Sequence, residues 1–159
     1  MKSINEIVII ISACILFCLS CSSDADLIMK KPRALTVGDT IAFCAPSGFL
    51  DSIRMSLAKT RLEEKGFYIV QDDSLFRRWG YLAGKDTQRA SELMTYFKDK
   101  SIRAIFPGTG GYGSTRILSI LDYDVIKNNP KIFIGFSDIT GLHIAFNQIA
   151  NLITFHTPN

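Results

Sequence analysis

Ser137 stands at the end of the apolar run Lys131-Ile132-Phe133-Ile134-Gly135-Phe136, just ahead of a helical pattern opening at Asp138. A serine on a sharp strand-to-helix turn holds its hydroxyl clear of its own backbone, as a nucleophile requires. Serine is also a favoured helix N-cap, and Asp138 in the first turn would suit the helix dipole. Local sequence alone favours that second reading. Gly135-Phe136-Ser137-Asp138 meets the elbow pattern G-x-S-x-G only in part, because Ile139 stands where the second glycine belongs.

A second candidate is Gly108-Thr109-Gly110-Gly111-Tyr112-Gly113, which fits G-x-G-x-x-G between a strand and a helix. As a dinucleotide site it is weak. Pro107 interrupts the junction, and about twenty residues further on lies Asn128 rather than a ribose-binding acid. The glycines can instead bring backbone N–H groups close to a reacting carbonyl and hold its oxyanion. A tight turn that merely starts a helix fits the spacing equally well.

A serine nucleophile needs a base within hydrogen-bond reach. The chain has two histidines. His143 lies six residues past Ser137 on the same predicted helix, on a different face, and His156 lies near the chain's end. Neither is expected to be the base. Cys44 sits in an apolar run and reads as an inert buried thiol. No cysteine or histidine spacing suggests a metal site.

These residues need a scaffold that delivers them to one edge. Strands are expected at 40–44, 67–70, 102–106 and 131–136, with 152–155 as a further apolar run. Helices are expected from about 51 to 65, from 86 or 87 with Ala90, Leu93, Met94 and Phe97 on one face, through Ile117, Leu118 and Leu121, and from about 138 to 150. Gly66 suits a C-terminal cap. Residues 72–85 read as an exposed loop. Continuously apolar strands alternating with helices predict an α/β fold, a parallel sheet flanked by helices. Ligands bind such sheets beyond the carboxyl ends of the strands, where Ser47, the glycine loop and Ser137 all fall.

The chain of 159 residues is 47% hydrophobic and 21% charged, as a globular body requires. Its net charge of +3 is scattered, with no basic stripe for nucleic acid. At the N-terminus, Lys2 precedes an apolar run at 7–19 that is short for a bilayer span. Leu19-Ser20-Cys21 then reads as a bacterial lipoprotein signal over 1–21, with Cys21 lipidated and 22–34 as a tether, although Cys18 departs from the usual pattern. An ordinary secretory signal or an uncleaved anchor are the alternatives. Cys14, Cys18 and Cys21 thus belong to targeting, and only Cys44 remains in the body.

Taken in order, several motifs resemble the LD-carboxypeptidases, the muramoyltetrapeptide carboxypeptidase family of serine peptidases. They are Leu35-Thr36-Val37-Gly38-Asp39-Thr40-Ile41 leading into Ala45-Pro46-Ser47-Gly48, and Gly80-Tyr81-Leu82-Ala83-Gly84 ahead of Arg89. Gly110-Gly111-Tyr112-Gly113 with Arg116 follows, then Asn129-Pro130-Lys131 leading to Ile134-Gly135-Phe136-Ser137-Asp138-Ile139-Thr140, then Thr154-Phe155-His156-Thr157-Pro158. The resemblance implies that 35–159 is the N-terminal α/β domain of a two-domain enzyme that releases terminal D-alanine from murein tetrapeptides, without metal or cofactor. It implies Ser137 as nucleophile, backbone N–H groups of Asp138 and Gly111 as oxyanion hole, and Ser47, Gly110, Tyr112 and His156 near the substrate. The family's base histidine and its glutamate lie in a C-terminal domain absent from this chain, which alone is expected to be inactive. Thr109 and Thr157 depart from residues common in the family, arginine and glycine.

With the signal, this gives an exported, membrane-anchored lipoprotein facing the periplasm or cell exterior, with muropeptides as partners and a homodimer left open. Two other readings stand beside it. One is a self-immunity hydrolase acting on peptide–nucleotide antibiotics. The other is a membrane-tethered module that binds muropeptides without cutting them.

Overall fold

A computed structural model of the chain describes residues 28–158. The expected signal segment, Cys21 and residues 22–27 of the expected tether lie outside the described residues.

Five parallel strands form one sheet in the order β2-β1-β3-β4-β5. They are β1 (Thr40–Cys44), β2 (Tyr68–Val70), β3 (Ile102–Pro107), β4 (Ile132–Gly135) and β5 (Phe155–His156). Among the described residues four α-helices accompany them: α1 (Ser52–Glu63), α2 (Asp86–Lys98), α3 (Tyr123–Asn128) and α4 (Thr140–Ala150). The α1 helix starts where the Asp51 carboxylate accepts the N–H groups of Ile53 and Arg54. The chain turns away after it through Gly66, which takes φ +85°.

Alternation along the strands separates two cores. On one face Ala42, Cys44, Ile105 and Phe133 pack against Leu93 and Phe97 of α2 and Leu142 and Phe146 of α4. The Phe133 and Phe146 rings meet edge-on at 4.9 Å, and Phe97 meets Phe146 at 5.4 Å. Each fully buried phenylalanine contributes about 2–3 kcal/mol from area alone. On the other face Ile41, Phe43 and Ala104 pack under α1 through Met55, with Leu75 beside them. Since α1 covers only β2, β1 and part of β3, Phe106, Ile132 and Ile134 on this face stay half-exposed.

The expected strands are present, and three expectations differ. The helix after the glycine loop is a 3-10 helix, Ser114–Ile120, and α3 follows as a separate short helix. Residues 72–85 are not simply exposed. They contain a 3-10 turn, Asp73–Phe76, and bury Leu75, Leu82 and Ala83. Apolar side chains in that polar stretch are drawn inward because Ala83 N–H donates to the Ser47 carbonyl at 3.0 Å. Finally, Lys30, within the segment read as a tether, pairs in parallel with Leu152 and donates its ammonium to the Lys127 carbonyl at 2.8 Å.

Candidate active site

Three loops meet beyond the carboxyl ends of β1, β3 and β4: residues 45–48, 108–113 and 136–139. At the centre, Ser137 is exposed and has φ +59°, one of only two non-glycine residues with positive φ among the described residues. The N-cap reading therefore fails. An N-cap residue has extended backbone and offers its side chain to the helix, whereas Phe136 holds that position ahead of the turn Ser137–Ile139, and no side-chain cap bond forms. A serine in the left-handed region costs roughly 1–2 kcal/mol and marks a sharp turn presenting its hydroxyl outward. Gly135 makes the turn possible: at φ +145°, a Cβ there would lie 2.7 Å from Ile139 Cγ2.

The glycine loop lies directly against this serine. A methyl group on Gly110 would stand 3.0 Å from Ser137 Cβ and 3.3 Å from its Oγ. Gly111 has φ +109° and abuts Gly48, whose N–H donates to the Gly110 carbonyl at 3.1 Å. Asp138 opens a helical turn, where backbone N–H groups have no intrahelical acceptor. The N–H of Gly111 has no acceptor among the described residues. Asp138 adjoins Ser137 in the chain, and Gly111 adjoins Gly110, the glycine that lies against Ser137.

What holds the loops in place was not visible in the motifs. The Asp138 carboxylate accepts the Ser47 hydroxyl at 2.5 Å and the Ser114 N–H at 2.8 Å. The Ser114 hydroxyl returns a bond to the Asp138 carbonyl at 2.5 Å. One carboxylate thus joins the 136–139 loop to the 45–48 loop and to Ser114, the residue that directly follows the glycine loop. Ser47, expected beside the substrate, is fully buried and spends its hydroxyl on this clasp.

Arg89 supplies a second clasp from α2. It is fully buried, and its guanidinium donates to the carbonyls of Pro46, Gly84 and Gly113 (the last at 2.8 Å) and to the Asp86 carboxylate. Asp86 also accepts Arg116 at 2.9 Å, and that bond holds its carboxyl below the ordinary range. The signal in the sequence was an arginine in register with the apolar stripe Leu93 and Phe97.

The remaining expected residues line the edges. Tyr112 is 76% exposed and meets Tyr81 edge-on at 6.4 Å, forming an aromatic rim beside Gly111. His156 is exposed, with Nε2 3.1 Å from the Thr140 hydroxyl. His143 is buried, its Nε2–H donating to the Gly135 carbonyl at 2.9 Å, while Nδ1 has no partner. Burial lowers its pKa, which keeps it neutral. Among the described residues no hydrogen bond joins either histidine to Ser137. Cys44 is buried and burial pushes its thiol well up, consistent with an inert role. No α-helix N-terminus follows the glycine loop, so the phosphate cradle of a dinucleotide site is not formed there.

A family profile described as the LD-carboxypeptidase N-terminal domain matches residues 41–157. The chain is 41% identical over 128 residues to a probable murein peptide carboxypeptidase of Bacillus subtilis, covering 80% of this chain and 40% of that one. It is 36% identical to the microcin C7 self-immunity protein MccF of Escherichia coli, covering 78% of this chain and 37% of that one. Among solved structures, an MccF-like protein from Bacillus anthracis superposes with a TM-score of 0.78 at 33% identity, covering 82% of this chain and 40% of that one. The chain spans about 40% of the length of the curated relatives it matches.

Proposed function

Because this chain belongs to the LD-carboxypeptidase family, we propose that residues 35–158 form the nucleophile-bearing domain of a serine carboxypeptidase acting on murein tetrapeptides. Ser137 Oγ attacks the carbonyl that precedes a terminal D-alanine. The backbone N–H groups of Asp138 and Gly111 receive the oxyanion, D-alanine departs, and water then hydrolyses the acyl-serine. The observation that carries this reading is the left-handed backbone of an exposed Ser137 seated against Gly110. The proton acceptor is a histidine outside residues 28–158, because His143 is committed to Gly135 and His156 to Thr140.

The test is D-alanine release from L-Ala-γ-D-Glu-diaminopimelate-D-Ala by the protein purified from its whole reading frame. Release that disappears in Ser137→Ala supports the proposal. Release that survives the substitution overturns it. Residues 1–159 alone are expected to give little or no turnover, since removing the base from such a machine costs several orders of magnitude.

Similarity to MccF favours a second reading, hydrolysis of a peptide–nucleotide antibiotic by the same serine. Faster Ser137-dependent cleavage of an aminoacyl sulfamoyl adenosine than of tetrapeptide would put it first. Tetrapeptide binding without turnover by the whole reading frame would favour a binding module instead. The proposal extends to export and lipidation at Cys21, where labelling with a radioactive fatty acid must vanish in Cys21→Ser.

A further inference from the structure

Beside Ser137 runs a groove of about 570 Å³ that the chemistry above leaves unused. Its floor is the part of the sheet that α1 does not cover, chiefly Phe106 and Ile134. One wall carries Thr109 and Phe136, the chain neighbours of Gly110 and Ser137, so the groove ends one residue from the candidate nucleophile. The other wall is the face of α1 bearing Arg54, Leu57 and Arg61, which recur at helical spacing.

Among the described residues no aspartate or glutamate lines this groove. Arg61 forms no ion pair among the described residues. Arg54 has only Asp51 at 3.9 Å, with both side chains more than half exposed, a pairing worth little. An apolar floor walled by two arginines complements a ligand with a hydrocarbon stem and carboxylates. Guanidinium binds carboxylate through two parallel bonds, which fixes orientation as well as affinity. A second copy of this chain fits less well, because an isologous contact would set these arginines against each other without an acid between them.

We propose that this groove is the subsite for a peptide stem bearing free carboxylates. Its methylenes lie on Phe106 and Ile134, its carboxylates meet Arg61 and Arg54, and its scissile carbonyl reaches Ser137. The inference rests on the carboxypeptidase reading and adds the path of the substrate stem and the two arginines that meet its carboxylates.

The experiment is calorimetric and NMR titration of the protein from its whole reading frame, in a Ser137→Ala background that prevents turnover. The probes are N-acetyl-L-Ala-γ-D-Glu-diaminopimelate-D-Ala and the same peptide with the D-Glu and diaminopimelate side-chain carboxylates amidated, its terminal D-Ala carboxylate left free. The acid form is expected to bind about tenfold or more tightly than the amide, with shifts at the Thr109, Ile134 and Phe136 amides. The double substitution Arg54→Gln with Arg61→Gln is expected to erase that preference, and added salt to weaken it. Both arginines are exposed, so the variant keeps its fold, which circular dichroism checks. Equal affinity for the two peptides, or a preference untouched by the arginine substitutions, overturns the proposal. So does arginine-dependent binding of phosphatidylglycerol vesicles with no peptide binding. Ser137-dependent D-alanine release that ignores the arginines would sink the groove alone. Absence of both binding and release would sink the carboxypeptidase reading with it.

Discussion

At the scale of single residues, Ser137 is held in a conformation that its own chemistry disfavours. Ser137→Gly is therefore expected to keep or raise the melting temperature, by about 0.5 kcal/mol of stability, while abolishing D-alanine release. A marked loss of stability would show that the serine side chain contributes to packing instead. Asp138 has the opposite character. Asp138→Ala would strand the Ser47 hydroxyl and the Ser114 N–H, which share its Oδ2, at a cost of about 2–3 kcal/mol readable in urea denaturation. Asp138→Asn, which keeps an acceptor, should recover most of that loss. The position of Ser137 on a strand-to-helix turn could be read from the sequence, but the clasp could not. The carboxylate of Asp138 already had a local explanation at a helix start, and its partner Ser47 lies 91 residues away in sequence.

At the scale of elements, the glycine loop works by close approach. Gly110 does not take positive φ, so alanine suits its backbone, yet the added methyl would press on Ser137 Cβ at 3.0 Å. Gly110→Ala is expected to lower kcat at least about tenfold with stability changed by only about 1 kcal/mol, as activity and thermal melts together would show. Unchanged kcat would mean that the loop gives way. The strands were legible because buried parallel strands are continuously apolar. The 3-10 character of Ser114–Ile120 was not, since Ile117, Leu118 and Leu121 satisfy three- and four-residue spacing alike. The six residues of α3 are too few to show a period at all. Arg89 was legible as a motif residue, but its work is at the level of elements: one guanidinium ties α2 to the loops after β1 and β3.

At the scale of the whole molecule, acid acts on two carboxylates in opposite directions. The folded pKa of Asp86 is lowered from 3.8, chiefly by its bond to Arg116. The stability it adds is full above that ordinary value and is lost as pH falls through the lower folded one. Burial raises Glu92 above 4.5, against the Ala45 N–H and Arg77, while Asp72 pushes it the same way as burial. Its ionisation therefore costs stability as pH rises from 4.5 through the folded value. Glu92→Gln, which imitates the protonated acid, should match the native protein below pH 4.5 and exceed it above, as urea titrations across that range would reveal. A variant less stable at pH 7 would show that the Arg77 contact outweighs desolvation. The pairing of Lys30 with Leu152 has a consequence for orientation. Leu152 precedes β5, so the chain joins the domain at the amino edge of the sheet, opposite the edge that bears Ser137. Six residues lie between Cys21 and Ile28, seven Cα-to-Cα steps with a reach of at most about 25 Å. Were Cys21 fixed in a bilayer, the domain would ride close above the lipid with its working face turned outward, within range of material in the wall and away from anything still embedded in the membrane.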